Sequence, residues 1–428
     1  MDSGTSQDTP SKIDLLRNFL GNHENGRKIF VFSIIFNLII YWLVFLVFIF
    51  RQNGLSSSFV NDFYNTYIDA VENFLVDPST MYQEEGIPVD QLWVYRNLPS
   101  GIFYYLPFYF IPDEFTLNLI VFSLLLFIWN LGSCYLIIKI AKHEWFREMA
   151  GGSIFSNPYL LASCYMFAIM HVVEYFHGQT DVICGFFILG GVYFHINKKE
   201  PYSYLMWSLA ITFKVTSVLF IIMFIFKKDM RKFVNNVYYL AIAQIPNIIM
   251  WVMWPRLFTD FISINIDIGA ELARLGYGGS AIAGVGSTGT FSVFLFQTFS
   301  VPLIAGTLGT MLVAIPLHMF IFSKAGDALS LFDKLMVVSL LIIVCIPTFW
   351  AIHVFIFLGA NLLWIGSRSK VFGKVSKVMV FIPSISFFLW FINPLNGPLM
   401  IAILIATDFL ILKRLKLLKQ EEMNIKGK

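Results

Sequence analysis

The chain has 428 residues, of which 57% are hydrophobic and only 13% are charged, and its formal net charge is +3 at pH 7. Soluble domains carry about 25% charged residues, and a soluble core does not need this much apolar surface. The composition therefore excludes an ordinary soluble protein and predicts an integral membrane protein with many spans.

The first apolar run, residues 29–50, has no charged side chain and is long enough to cross a bilayer. Its length and the polar residues before it exclude a cleaved signal peptide. Further apolar runs cover residues 115–138, 157–173, 182–196, 202–226, 237–254, 301–322, 335–350, 353–365, 378–392 and 399–412.

Lysine and arginine residues are unevenly distributed among the loops. With a cytosolic N-terminus, 25 of the 30 Lys and Arg residues lie on the cytosolic side. The exceptions are Arg51, Arg96, Arg256 and Arg274 in external loops and Lys214 at membrane depth. This bias follows the positive-inside rule and predicts cytosolic termini. The membrane is expected to be a plasma membrane or an endoplasmic reticulum membrane, between which the bias does not choose.

Each span takes the chain to the opposite side of the membrane, so residues 51–114 are predicted to form one long external loop. Its apolar piece, 98–111, is too short and too proline-broken to span, so we expect an interfacial or re-entrant helix there. Residues 202–226 have cytosolic-type charge at both ends, which predicts a re-entrant hairpin with Lys214 near its tip. A second external loop, 255–300, is rich in Gly, Ala and Ser over 268–290 and is predicted to be a mobile loop or lid.

The predicted fold class is therefore all-α, a transmembrane bundle of about ten spans plus one re-entrant hairpin. It occupies residues 29–412, between a cytosolic tail, 1–28, and a basic cytosolic tail, 413–428. The four cysteines lie in apolar runs without a CxxC pair, which indicates buried free thiols. The absence of a GxxxxGK[ST] motif argues against an ATP-driven pump.

Asp62 is the first candidate for chemistry, about ten residues beyond the first span. Residues 63–75 carry apolar and aromatic side chains at helical spacing, so an amphipathic helix is expected, with Asp62 as its N-cap. The alternative is a general base at the water–lipid boundary, which would take a proton from an acceptor hydroxyl.

A second candidate is the stretch 171–181, which gathers polar side chains at a membrane boundary: His171, Glu174, His177, Gln179 and Asp181. Thr180 or Asp181 is expected to cap the next helix, whose N-terminus would suit a phosphate. Two histidines with carboxylates are also a metal-site pattern, but the spacing matches no standard zinc motif, and no metal is predicted.

Two further candidates have a structural and a functional interpretation. Lys214 is the one basic side chain at membrane depth, which by default suggests function, whereas snorkelling to the cytosolic edge is the structural alternative. Trp350 and His353 lie in a short external turn. They would either anchor the interface or bind substrate, with the aromatic ring against a sugar and the imidazole on a phosphate.

In order and topology, these segments resemble the GT-C glycosyltransferases. The resemblance is closest to the polyprenyl-phosphate-mannose-dependent alpha-mannosyltransferases, and the GPI-anchor mannosyltransferases are related. It covers residues 29–366 and rests on five segments of the sequence. These are the early external Asp62 with its aromatics Phe63, Tyr67 and Tyr82, then YRNLPSGIFYYLPF (95–108), HGQTD (177–181), LAITFKVTSVLF (209–220) and PTFWAIH (347–353).

The resemblance implies a transferase that moves a hexose, with mannose the expected sugar, from a polyprenyl-phosphate donor such as dolichol phosphate. The acceptor would be a lipid-linked sugar or a glycan on the non-cytosolic face, and the reaction one inverting displacement. It implies no nucleotide, cofactor or nucleic acid. Asp62 would be the catalytic base, Gly178, Gln179 and Lys214 would seat the donor, and His353 with Trp350 would face its phosphate or sugar. Tyr67, Tyr95, Arg96, His177 and Asp181 complete the implied substrate-binding set.

Two other classes stay open on the sequence. A lipid or sugar-lipid transporter or flippase would be expected to show internal repeats and broken helices in both halves, and only one broken segment is present. A noncatalytic subunit of a glycosylation complex would tolerate loss of Asp62.

Overall fold

A computed structural model describes residues 11–52, 63–82, 95, 97–112, 117–150, 156–168, 171, 174–175, 178–218, 230–264, 295, 299–318, 329–345 and 355–367, with single positions between 405 and 416. Throughout these ranges the regular structure is helical, as predicted.

The described α-helices, in chain order, are α1 (Lys12–Gly21), α2 (His23–Gln52), α3 (Asp69–Val76), α4 (Ile102–Tyr109), α5 (Leu117–Lys142), α6 (Glu144–Ala150), α7 (Pro158–Met166), α8 (Asp181–Ile196), α9 (Glu200–Phe213), α10 (Met230–Met253), α11 (Pro255–Ser263), α12 (Leu303–His318), α13 (Leu331–Cys345) and α14 (Phe355–Ser367). A π-helical turn, Phe63–Ile68, leads into α3, and 3-10 turns occupy Pro78–Thr80, Pro99–Gly101 and Val215–Ser217.

Three helical stretches are long and apolar enough to cross a membrane: His23–Leu46, Leu117–Lys142 and Phe233–Met253. Shorter apolar helices are Asp181–Ile196, Ala305–His318 and Ile356–Ser367. These helices agree with a membrane bundle. The count of ten spans stays a prediction, because the run 378–392 and most of 399–412 lie outside the described residues.

The run 157–173 does not form one continuous helix, contrary to expectation. Helix α7 has nine residues and ends at Met166, so it rises only about 14 Å. Polar side chains bind the carbonyl groups at the end of α7. Asn37 donates to the Met166 carbonyl (3.0 Å), and the His171 ring contacts the Tyr165 carbonyl (2.9 Å).

A buried polar network joins α2, α5 and α7. The Tyr175 hydroxyl donates to Asn37 Oδ1 (2.5 Å), and Asn130 Nδ2 donates to the Tyr175 hydroxyl (3.0 Å). Asn130 also lies 3.1 Å from His171 Nδ1 and accepts from the Tyr165 hydroxyl (3.1 Å). Satisfied networks of this kind are rigid, so His171 has a structural role in the core.

Helix α8 lies at the centre of the bundle, packed against α5, α9 and α14. Glycines allow this close approach, as they commonly do between membrane helices. A Cβ atom on Gly191 would lie 2.0 Å from Trp207 Nε1, and one on Gly132 would lie 2.9 Å from the Phe186 ring.

A chain of hydrogen bonds fastens the start of α4 to α9 and α10. The Ser100 amide donates to Asn247 Oδ1 (2.7 Å), and Asn247 Nδ2 donates to Gln244 Oε1 (2.7 Å). Gln244 Nε2 in turn donates to the Ser208 carbonyl (2.7 Å). Helix α4 itself has eight residues, which is too short to span the membrane. The predicted helix within 98–111 is therefore present and anchored to the bundle.

The predicted N-terminal tail contains a helix. Helix α1 occupies Lys12–Gly21, and α2 begins at His23, before the first apolar run. Asn22 Oδ1 accepts the Glu24 amide (2.8 Å), which caps this early start.

Candidate active site

Residues 63–82, called the external segment after the side of the membrane predicted for them, fold onto the bundle. Phe63, Tyr67, Ala70 and Val71 are buried and repeat at helical spacing, so the amphipathic helix expected over 63–75 is present as the π turn and α3. Asp62 lies outside the described residues.

Four tyrosines form an aromatic cluster, which consists of Tyr67, Tyr82, Tyr95 and Tyr105. Tyr67 stacks on Tyr105 with ring centroids 4.3 Å apart, and Tyr95 packs edge-on against both rings. Tyr82 contacts Tyr95 at 5.7 Å. The Tyr105 hydroxyl reaches Thr180 Oγ1 at 3.4 Å, so this cluster contacts the turn that begins α8.

The segment around Tyr95 rests on the end of α9. The Leu98 amide donates to the Thr212 carbonyl (3.2 Å), and the Tyr95 hydroxyl donates to the Leu98 carbonyl (3.2 Å). A Cβ atom on Gly101 would lie 2.5 Å from the Tyr95 hydroxyl. Tyr95 therefore has a positioning role in the fold, and its neighbour Arg96 lies outside the described residues.

Helix α9 breaks at Lys214, as the sequence predicts. The helix ends at Phe213, Lys214 is extended (φ −147°, ψ 106°), and a 3-10 turn follows over Val215–Ser217. Residues 219–229 lie outside the described residues, so the returning half of the hairpin stays a prediction.

The break directs the Lys214 side chain into the protein. Its ammonium lies 3.3 Å from Asp181 Oδ1 and 3.3 Å from Gln179 Oε1. The Asp181 side chain is fully buried, and that of Lys214 is only 16% exposed. These contacts argue against snorkelling and place a buried ion pair where α8 begins.

Gln179 connects Lys214 to the external aromatic cluster. Its Oε1 accepts from the Tyr67 hydroxyl (3.2 Å) as well as from Lys214. Because an ammonium only donates, the oxygen of the amide must face Lys214. Neither contact uses Nε2, which carries two N–H donors suited to a phosphate or hydroxyl oxygen.

Gly178 makes the close approach of these parts feasible. It has a φ of +65°, in the left-handed region that favours glycine. A Cβ atom there would lie 2.7 Å from the Phe63 Cβ. The external segment and the turn before α8 therefore touch at a position that has no room for a side chain.

Glu174 is a part of this site that the sequence interpretation did not assign. Its Oε1 accepts the Val182 amide (3.1 Å), whereas Thr180, at the N-cap position, makes no capping bond with its side chain. The next two amides of α8 bond to the Thr180 carbonyl. The amides of Val182, Ile183 and Cys184 therefore already have partners within the protein, and phosphate binding at this helix end stays a prediction.

The remaining candidates are not brought together here. His177, Trp350 and His353 lie outside the described residues, although α14, which begins two residues after His353, packs against α8. The described part of the chain contains no group of three or more His, Cys, Asp or Glu residues that could hold a metal ion. Its four cysteines are free, and Cys164 is only partly buried.

Comparison with known families decides the class of protein. The family model of glycosyltransferase family 87 matches residues 95–347, more than half of the chain. The chain belongs to glycosyltransferase family 87. No match was found among curated proteins or among solved structures.

Membership of family 87 makes this helical protein a membrane glycosyltransferase, with a sugar donor and an acceptor as substrates, and does not favour the transporter interpretation. The matched residues contain Tyr95, Gly178, Gln179, Asp181 and Lys214. They leave out Asp62, Tyr67, Trp350 and His353 of this glycosyltransferase, so the roles of those four rest on other arguments.

Proposed function

We propose that the enzyme transfers mannose from a polyprenyl-phosphate donor to a lipid-linked or glycan acceptor on the non-cytosolic face of the membrane. The observation that carries the proposal is the buried Lys214 ammonium at the helix break, held by Gln179 and Asp181. An ionised side chain in this position is costly and suits an anionic ligand that itself belongs at the membrane boundary.

The donor phosphate would lie beside Lys214 and the amide nitrogen of Gln179. A polyprenyl-phosphate sugar carries its charge at the lipid–water boundary, and charge builds up on the leaving phosphate as the bond to the sugar breaks. A fixed ammonium in a site of low polarity stabilises such charge more strongly than water does. Lys214 would therefore bind the donor before the reaction and also lower the barrier to sugar transfer.

The proposed reaction is one displacement. The acceptor hydroxyl oxygen attacks the anomeric carbon, the bond from that carbon to the phosphate oxygen breaks, and the configuration inverts. The proton of the hydroxyl passes to the Asp62 carboxylate, and polyprenyl phosphate leaves. Asp62 is joined directly to Phe63, which packs on Gly178, so the proposed base and the proposed donor site belong to segments in contact.

The test is sugar transfer from radiolabelled polyprenyl-phosphate mannose in membranes that contain equal amounts of wild type or Asp62→Asn. Glu72→Gln is a matched control, because Glu72 is an exposed carboxylate on the same external segment. We expect D62N to lose transfer by at least about a hundredfold, the usual scale for a general base, and E72Q to retain it.

Equal transfer by wild type and D62N would reject Asp62 as the base. Absence of transfer by wild type would reject mannose on this donor, and other polyprenyl-phosphate sugars would then be compared in the same membranes.

A further inference from the structure

Glu174 is a buried acid next to the proposed donor site that the mechanism above does not use. Its side chain is fully buried. Oε1 accepts the Val182 amide, and Oε2 has no hydrogen-bond partner among the described residues. An ionised carboxylate with a bare oxygen in such a place is strongly disfavoured, whereas the neutral acid costs far less.

The net charge of the site depends on whether Glu174 carries its proton. Asp181 and Lys214 are the charged groups that face it, and they lie 3.3 Å from each other as an ion pair. The phenols of Tyr165 and Tyr175 also face it, and phenols ordinarily ionise only near pH 10. The ion pair has no net charge, so the site is neutral with Glu174 protonated and carries −1 with Glu174 ionised.

We propose that Glu174 is a positioning residue that must carry a proton for an anionic donor phosphate to bind beside Lys214. This inference rests on the proposed function for the identity of the ligand. The neutral acid accepts the Val182 amide and leaves Lys214 paired with Asp181 alone. Loss of the proton to solvent would give Lys214 two carboxylates to neutralise, and the resulting negative charge would repel a phosphate.

Glu174 keeps its proton to a higher pH than an ordinary glutamate does. Burial away from water, together with the neighbouring Asp181 carboxylate, raises the pKa of Glu174 well above its ordinary value. Donor binding is therefore expected to weaken as the pH rises, with no change in the fold required.

The first test needs no donor and compares the thermal stability of purified wild type and Glu174→Gln between pH 5 and pH 9. Gln can still accept the Val182 amide but does not titrate. In wild type the folded state keeps a proton that the unfolded state has lost, so stability is greatest below the unfolded pKa and falls as the pH rises to the folded pKa.

We therefore expect the melting temperature of wild type to fall relative to that of E174Q as the pH rises. At a fixed temperature, the unfolding constant of wild type should rise relative to that of E174Q by at most tenfold per pH unit. A difference that is constant with pH overturns the proposal. If E174Q does not accumulate, Glu174→Met, of similar volume and also without a titrating group, takes its place.

The second test measures the KM for polyprenyl-phosphate mannose at pH 6 and pH 9. We expect the wild-type KM to rise at least about fivefold over this interval and the KM of E174Q to change less than about twofold. Parallel pH profiles would overturn the link to donor binding. If the proposed donor is not used at all, the thermal comparison still decides whether Glu174 is protonated, so the two failures are distinguishable.

Discussion

Substitution of Gly178 by alanine tests whether the external segment and the turn before α8 must touch. The substitution adds one methyl group to a residue with φ of +65°, 2.7 Å from the Phe63 Cβ and 3.4 Å from Leu119 Cδ1. The left-handed backbone costs about 1–2 kcal/mol for a residue with a side chain, and overpacking adds about 1–3 kcal/mol. The total is about 2–5 kcal/mol.

The clash cannot be relieved by rotation of the Phe63 side chain, because a Cβ atom moves only with the backbone. The π turn would have to shift, and it carries Tyr67, whose hydroxyl lies 3.2 Å from Gln179 Oε1. This bond is already long for an O–H···O bond, and a shift of several tenths of an ångström would break it. We therefore expect transfer per folded molecule to fall about tenfold, the equivalent of about 1.4 kcal/mol.

The measurements are the melting temperature in detergent and transfer activity normalised to folded protein. Gly190→Ala is the matched control. Gly190 lies within α8, and its added methyl group would lie 3.5 Å from the flexible Met206 side chain of α9. G178A should melt several degrees below wild type, whereas G190A should melt at or above it, since alanine favours a helix interior by up to about 1 kcal/mol. A G178A enzyme with wild-type stability and activity would refute the predicted contact.

The remaining predictions concern one bond and one packing contact. Tyr67→Phe removes the bond to Gln179 but keeps the aromatic stack. The KM for the donor should rise about fivefold, which corresponds to ~1 kcal/mol of binding free energy. An unchanged KM would contradict this prediction. Gly191→Ala places a methyl group 2.0 Å from Trp207 Nε1, so little folded protein should accumulate. Adding Trp207→Phe should restore part of it in a double-mutant comparison, and strictly additive losses would contradict the contact.

Hydrophobic runs predict the three long apolar helices well, because such a run depends only on neighbours in the sequence. The helix over 63–75 and the break at Lys214 follow from spacing and from one charged residue in an apolar run. The run 157–173 is not one helix as predicted. Its helix ends at Met166, where the Asn37 side chain from α2 binds the carbonyl and the His171 ring of the same run binds the Tyr165 carbonyl.

The candidate site was only partly predictable, because its contacts join distant segments. Tyr67 and Gln179 are 112 positions apart, and Gln179 and Lys214 are 35 apart. Residue types suggested each of these three separately, but no local pattern states that one amide oxygen serves both partners. Glu174 was visible in the polar stretch, yet its role depends on reaching the Val182 amide eight residues later.

The Asp181–Lys214 pair is better explained by function than by stability. Well-packed apolar residues in place of a buried ion pair are often neutral or stabilising, so folding alone does not require charges between α8 and the break after α9. Here the pair adjoins the Gln179 amide, whose nitrogen makes no hydrogen bond among the described residues, and the aromatic cluster of tyrosines. The proposed lipid-phosphate donor would require such a combination, which is a fixed positive charge for the phosphate beside a surface for the sugar.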